Sequence, residues 1–523
     1  MKIHGILLLL PLAVLFSSCG KKPDETTTVD PPVLVKVSPE DGAGDVAIGN
    51  LPAVFTYDQN VKVLSSDKSK ISVSGGEAVI SGINAYGKEV TVSLGGLTYG
   101  TAYTVTIPAG VVRGFQDSQD GAAAARTSFT TVPEPEDPGT DERLSDVGWD
   151  RAAELGLGWN IGNQLDAFSG TTPNETVWGN AKCTQATFNA VKAAGFTSVR
   201  IPVTWLDKIG PAPDYTIDAT WMNRVYEVVG YAEAAGLHAI VNTHHDEDHG
   251  NGHWLDLKGA LASAETNAQI KAEITAVWTQ IAEKFRDKGE WLMFESFNEL
   301  IYGNEWSIGD NAQAKADIIN EWNQTFVDAV RATGGGNATR WLGVPGYASN
   351  PSYLSYFKLP TDAAGKIMVA AHFYDPYDYT IGDTQYTDWG HTGSAGKKAN
   401  GGDEDHVRSI FNTLMRNYVN KGIPVYLGEF GCSTRSKSST RAWAFFLYYM
   451  EYVVKAAGTY GMSAFLWDNG ANGDGKEHHG YINHGTGAYI SDSKEVVDVM
   501  VKAMNNNSPS YTLQSVYDNA PVF

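Results

Sequence analysis

What most constrains the fold of this chain is an alternation of apolar runs with helical stretches between Arg143 and Phe523. The runs are LGLGWNIG from Leu155, TSVRIPV from Thr197, HAIVNT from His238, WLMFESF from Trp291, RWLGVPG from Arg340, KIMVAAHF from Lys366, IPVYLGEF from Ile423 and MSAFLWD from Met462. A strand covered on both faces needs this kind of nearly unbroken apolar sequence. Between the runs lie stretches such as TFNAVKAAG and AWAFFLYYMEYVVKAAG, whose apolar residues fall three and four apart, as on one face of a helix. Eight strands, each followed by a helix-length segment, predict an α/β fold of the (β/α)8, or TIM, barrel type. An open doubly wound sheet would carry a Gly-rich nucleotide turn after its first strand, whereas GWNIGNQLD leads into a polar loop. The tract is longer than the roughly 250 residues typical of such barrels, so the surplus is expected in loops that shape a cleft.

Chemistry in such a barrel gathers at the C-terminal ends of the strands. Read in chain order, those ends supply Asn163 and Asp166, Arg200, His244 and His245, Asn298 and Glu299, His372 and Tyr374, Glu429, and Trp467. Each has a plain structural alternative: an ion pair for Arg200, a satisfied core histidine for His372, packing for Trp467. Chance is a poor account of polar groups at so many successive strand ends. Two glutamates, Glu299 and Glu429, at the ends of two apolar strands suggest the acid/base and nucleophile pair of glycoside cleavage. Glu295 is the rival of Glu299, because residues 295, 297 and 299 share one strand face. The strand-end rule places it deeper, as a buried, paired group. HHDEDHGNGH (His244 to His253) and EHHG (Glu477 to Gly480) are dense in possible metal ligands but have no recognisable ligand spacing, so no metal is expected. Trp178, Trp205, Trp254 and Trp389 fall in loops of the same face and are candidate outer platforms, with packing expected for at least half.

The N-terminal part has a different character. Residues 1–18 combine a Lys, an apolar run and small residues before Cys19, the anatomy of an export signal. The FSSC ending resembles a bacterial lipoprotein processing site, which implies lipidation of Cys19 and an anchor in the outer membrane. PDE soon after Cys19 resembles a signal for display at the cell surface. Residues 19–32 read as a flexible tether and 133–142, PEPEDPGTDE, as a stiff linker. Between them, residues 33–132 hold short alternating runs such as AVFTYD, EVTVSL and AYTVTI, expected to form a small β-sandwich. A net charge of -21 without clustered Lys and Arg excludes nucleic acid as a partner. Cys183 and Cys432 are expected free and buried, and the chain monomeric.

Seven ordered motifs, GWNIGNQLDA, SVRIPVTW, VNTHHDED, FESFNE, AHFYDP, GEFG and LWDNG, together resemble glycoside hydrolase family five from Leu144 to about Asn505, within a domain expected to span 143–523. The wording is most similar to subfamily four, whose members hydrolyse β-1,4-glucans and very often xyloglucan. The resemblance implies a retaining endo-β-1,4-glucanase that needs no cofactor, with Glu299 as acid/base and Glu429 as nucleophile. It implies that Arg200 keeps Glu429 charged, that Tyr374 orients it, and that Asn298 binds the sugar 2-hydroxyl. His244, His245 and His372 would line the subsite beside the scissile bond, Trp467 would form an apolar floor, and Asn163 and Asp166 would complete the substrate contacts. Xyloglucan is the favoured polysaccharide partner; mixed-linkage β-glucan and β-mannan are alternatives. Leu300 departs from the proline that many members carry after the Asn-Glu pair. A non-catalytic surface protein that binds glycan is the alternative from another class, disfavoured because both glutamates, Arg200 and Tyr374 are kept. The segment 33–132 resembles bacterial immunoglobulin-like domains, notably in VSPEDGAGDVAIG, and is expected to act as a spacer.

Overall fold

The computed structural model describes residues 30–46, 51–76, 78–115, 121–132, 143–382, 386–473 and 475–523. The expected signal peptide, Cys19, most of the tether and the linker at 133–142 lie outside the described residues. The chain divides into two compact units at Val132.

The first unit is a sandwich of two sheets. One runs in the order Leu34–Ser38, Leu51–Tyr57, Glu89–Gly95, Val79–Tyr86; the other runs Ala43–Val46, Ala125–Thr131, Ala102–Ile107, Ser72–Ser74. Period-two alternation sends Phe55, Tyr57, Val90, Val92 and Leu94 of one sheet, and Tyr103, Val105, Ile107 and Phe129 of the other, into a shared core.

The second unit is a closed barrel of eight parallel strands: β1 Leu157–Ile161, β2 Ser198–Ile201, β3 His238–Asn242, β4 Leu292–Glu295, β5 Leu342–Pro345, β6 Ile367–Phe373, β7 Val425–Phe430 and β8 Met462–Asp468. Each strand is buried along nearly its whole length because helices cover the outside and side chains fill the inside. Ile240, Met293, Met368, Ala370, Tyr426 and Phe465 form an inner cluster with Leu155 and Trp341. Their neighbours in sequence, such as Val241, Phe294, Val369 and Leu427, belong to the larger core packed under the helices. Helix ends follow local chemistry. Ala219–Ala235 starts at Asp218, whose carboxylate accepts from Trp221 N, and stops at Gly236, whose φ of 68° suits glycine.

One repeat departs from the sequence expectation. Between β5 and β6 the chain forms only 3-10 turns, at Tyr347–Ser349 and Pro351–Tyr356. Pro351 and Pro360 interrupt this segment, and its apolar residues lack a helical stripe.

Candidate active site

Arg200, from β2, is fully buried at the C-terminal end of the barrel and organises what surrounds it. Its Nη2 donates to Glu295 Oε1 at 2.6 Å and to Asn298 Oδ1 at 2.8 Å. Its Nη1 donates to Glu429 Oε1 at 2.7 Å and to Asn160 Oδ1 at 3.1 Å. Glu295 also accepts from Tyr426 Oη at 2.6 Å and Asn242 Nδ2 at 2.9 Å. Burial works against its charge, but Arg200 and then Tyr426 outweigh burial and hold the Glu295 carboxyl below the usual range. Glu295 is thus an ionised structural partner, as its depth in the strand suggested.

Glu429 is placed differently. Its Oε1 faces Arg200 and its Oε2 accepts from Tyr374 Oη at 2.9 Å. Burial pushes this carboxyl up, His372 and Arg200 pull it back, and Glu299 raises it further. Donors on both oxygens favour the carboxylate form. Burial first, then Glu429, raise Tyr374 well above the ordinary phenol range, so it stays a donor. Opposite, Glu299 Oε1 lies 2.6 Å from His372 Nδ1. Burial lowers the His372 ring, but Glu429 and Glu299 outweigh it and the net shift is upward. One carboxylate oxygen each of Glu299 and Glu429 and a ring nitrogen of His372 all lie within 4.8 Å of one another.

These groups open into a cleft of about 880 Å³, lined also by Asn163, His244, His245 and Trp467. His244 stacks on Trp467 at 5.7 Å with a 5° interplanar angle. Trp467 can lie there because residue 162 is glycine: a Cβ would come within 2.7 Å of the indole. Asn242 settles which His244 nitrogen carries the proton. Its Oδ1 accepts from Val203 N, so its Nδ2 donates to Glu295 and to His244 Nδ1 at 3.2 Å. Burial lowers the His244 pKa well below the usual value, and the neutral ring keeps its proton on Nε2, 3.9 Å from Glu429 Oε1. Asp166, His244 and His245 bring donor atoms within 4.8 Å of one another. That tautomer leaves His244 a hydrogen donor toward the cleft and unsuited to ligating a metal there.

The family model for cellulase (glycosyl hydrolase family 5) matches residues 162–473, and a bacterial Ig-like domain matches 28–131. The chain belongs to glycosyl hydrolase family 5. Among curated relatives, endoglucanase A of Paenibacillus barcinonensis is 39% identical over 344 residues, covering 63% of this chain and 83% of that protein. A broad-specificity GH5-4 endoglucanase from Bacteroides salanitronis shares 49% identity at a TM-score of 0.67, covering 70% of this chain and 97% of its own. A family 5 xyloglucanase from Paenibacillus pabuli shares 38% at 0.63, covering 68% and 100%. The second unit is therefore a glycoside hydrolase, related to endoglucanases, and the first an immunoglobulin-like domain.

Within this family 5 domain the structure brings Arg200, Asn298, Glu299, His372, Tyr374 and Glu429 into one constellation, with Asn163, His244, His245 and Trp467 on the cleft wall. Asp166 is a correction. It was expected to touch substrate, but it is fully buried behind the wall and its two oxygens accept from Asn163 N and Gln164 N. Burial pushes its carboxyl up to about 7. Trp205 and Trp389 are also not platforms: both are buried, donating to the carbonyls of Asn242 and Gly402. Trp254 donates to Asp246, and only Trp178 of the four lines the cleft, 40% exposed. Sequence reasoning missed Trp306 and Tyr377, which line the cleft at 56% and 53% exposure. The signal was present, since Trp306 follows β4 and Tyr377 follows β6, in the loops where chemistry was sought. Cys183 and Cys432 are free and buried.

Proposed function

We propose that this protein is a retaining endo-β-1,4-glucanase whose preferred substrate is xyloglucan. The carrying observation is the pair Glu299 and Glu429, with carboxylate oxygens inside 4.8 Å. A retaining pair stands about 5 to 5.5 Å apart, whereas an inverting pair needs roughly 6.5 to 9.5 Å to admit water. In the first step Glu299 gives its proton to the glycosidic oxygen while Glu429 attacks the anomeric carbon. The C–O bond to the departing chain breaks and a glycosyl ester on Glu429 forms. In the second step Glu299 takes a proton from water, the water oxygen bonds to the anomeric carbon, and Glu429 leaves as a carboxylate. Asn298, held by Arg200, is aimed to bind the 2-hydroxyl, and no cofactor enters the cycle.

Xyloglucan is favoured by the cleft volume of about 880 Å³ and by its exposed aromatic side chains Trp178, Trp306 and Tyr377, which suit the apolar faces of a branched glucan. The related xyloglucanase adds support. Initial rates on xyloglucan, barley β-glucan, glucomannan and carboxymethylcellulose test the choice; a lead for glucomannan or barley β-glucan would replace it. Proton NMR of the first products tests the stereochemistry, and initial release of the α-anomer would overturn retention. Glu429→Ala and Glu299→Gln should each abolish new reducing ends from polymer without unfolding the chain. Xyloglucan binding with no reducing ends from the wild type would instead favour a non-catalytic glycan-binding protein.

The same proposal places the enzyme, as a monomer, on the outer membrane surface through a lipid on Cys19, with the immunoglobulin-like unit as spacer. This suits a polymer too large to import. Fatty-acid labelling lost in Cys19→Ser, with protease accessibility on whole cells, tests it.

A further inference from the structure

Glu247 lies in the loop after β3, is only 3% exposed, and has no part in the reaction as written above. Its Oε1 accepts from the backbone N–H of Glu299 at 2.8 Å. Its Oε2 is buried with no hydrogen-bond partner among the described residues. On the other side, the Ser349 hydroxyl, 1% exposed, donates to the carbonyl of Asn298. Asn298 C=O and Glu299 N–H belong to the same peptide unit. Both ends of one peptide plane are therefore held by buried side chains from two different loops.

We infer that Glu247 and Ser349 form a clamp on the Asn298–Glu299 peptide and act as positioning residues that aim Glu299 at the glycosidic oxygen. The inference rests on the assignment of Glu299 as acid. Rotation of that plane changes φ of Glu299 and so turns its carboxyl, whereas the Asn298 side-chain amide stays pinned by Arg200 Nη2 at 2.8 Å. The Ser349 arm comes with backbone strain: Ala348 and Ser349 have φ of 53° and 50°, where non-glycine residues are uncommon. Ala348 N also donates to Leu300 O at 2.9 Å, tying the strained turn to the residue after the acid. Burial raises the Glu247 carboxyl well above its ordinary range, with the Glu299 amide pulling back and Asp246 and Glu299 raising it further. That upward direction favours the protonated form of Glu247, whose Oε1 accepts the Glu299 amide.

The test separates aim from stability by leaving group. Cleavage of polymer needs protonation of the leaving oxygen, whereas 2,4-dinitrophenyl β-cellobioside leaves without it. For that substrate kcat/KM reports formation of the glycosyl-enzyme alone. A misplaced acid costs roughly 10- to 100-fold. Glu247→Ala should lose that factor in kcat/KM on polymer, mostly in kcat, yet stay within about threefold of wild type on the dinitrophenyl substrate, by the same reasoning. Glu247→Gln, which keeps an oxygen to accept the Glu299 N–H, should restore polymer cleavage. Ser349→Ala should reproduce the leaving-group pattern and carries the test if Glu247→Ala does not fold. Unchanged polymer cleavage in both alanine variants, or equal losses on both substrates, overturns the clamp. A wild type that cleaves neither polymer nor glycoside sinks the assignment of Glu299 instead.

Discussion

Tyr374→Phe isolates the proton affinity of Glu429. The substitution removes one oxygen, and with it the 2.9 Å hydrogen bond to Glu429 Oε2. A hydrogen bond to a charged group contributes about 1.5 to 3 kcal/mol. Because this one favours the carboxylate over the acid, its loss raises the Glu429 pKa by roughly one to two units at 1.36 kcal/mol per unit. Burial already pushes this carboxyl up, so the loss acts in the same direction. The sign follows directly: Glu429 attacks only when ionised, so the acid limb of the rate profile moves to higher pH. The assay is kcat/KM on 2,4-dinitrophenyl β-cellobioside from pH 4 to 9, where no general acid is needed and the limb reports the nucleophile. Activity at the acid end should fall by more than tenfold, while the alkaline plateau should fall much less. An acid limb that stays within about 0.3 units of wild type would show that Tyr374 does not tune Glu429, since even the weak end of the range exceeds that.

Trp306→Ala should raise KM for polymer about tenfold with little change in kcat, since a sugar ring stacked on an aromatic face gains about 1 to 1.5 kcal/mol; an unchanged KM would remove Trp306 from the cleft's binding surface. Arg340, 1% exposed, donates to the carbonyls of Phe285, Lys288, Gly289 and Leu292. Arg340→Met should therefore lower unfolding free energy by about 3 to 5 kcal/mol, read by denaturant titration, because buried acceptors left unpaired cost about 1 to 3 kcal/mol each. Burial raises both buried thiols, Cys432 to about 11, so native protein should resist thiol reagents at pH 8. If Cys19 carries the proposed lipid, denatured protein should titrate the thiols of Cys183 and Cys432 alone, and a third thiol would overturn that lipidation.

The barrel was legible because each strand is buried on both faces and therefore writes an apolar run, which exposed strands would not. The fifth repeat was misjudged for a related reason. A strand-to-strand segment of ordinary length says little about whether its residues hydrogen-bond as helix, and the 3-10 turns at Tyr347–Ser349 and Pro351–Tyr356 left only proline as a hint. Polar residues at strand ends marked the site, but the same rule could not tell a side chain facing the cleft from one folded under it. Asp166 and Trp178 occupy comparable loops, yet backbone amides capture Asp166 while Trp178 stays at the cleft. The clamp by Glu247 was invisible for a deeper reason. It acts on a backbone amide fifty-two positions away, and no residue type at Glu299 records who holds its N–H.

Glu295 lines no part of the cleft, yet it is bonded to Arg200, Asn242 and Tyr426 at the centre of the network. Alone beside Glu429, the buried Arg200 guanidinium would attract a single carboxylate at 2.7 Å and hold it deeply ionised. A carboxylate held that firmly is a poor nucleophile, because attack on carbon must weaken its bond to the cation. Glu295 takes the Nε and Nη2 side of Arg200, leaving Nη1 for Glu429, so the cation is shared and its pull on the nucleophile is reduced. The two carboxyls shift in opposite directions: Arg200 outweighs burial and holds Glu295 below the ordinary range, whereas burial leaves Glu429 above it. A neutral residue at 295 should then strengthen the hold on Glu429, lowering its pKa and slowing its attack. Glu295→Gln should accordingly show an acid limb displaced to lower pH together with a reduced plateau, the opposite displacement to Tyr374→Phe. Displacement in the same direction would mean that Arg200 loses its orientation when Glu295 is neutral, and that Glu295 acts by geometry and not by charge.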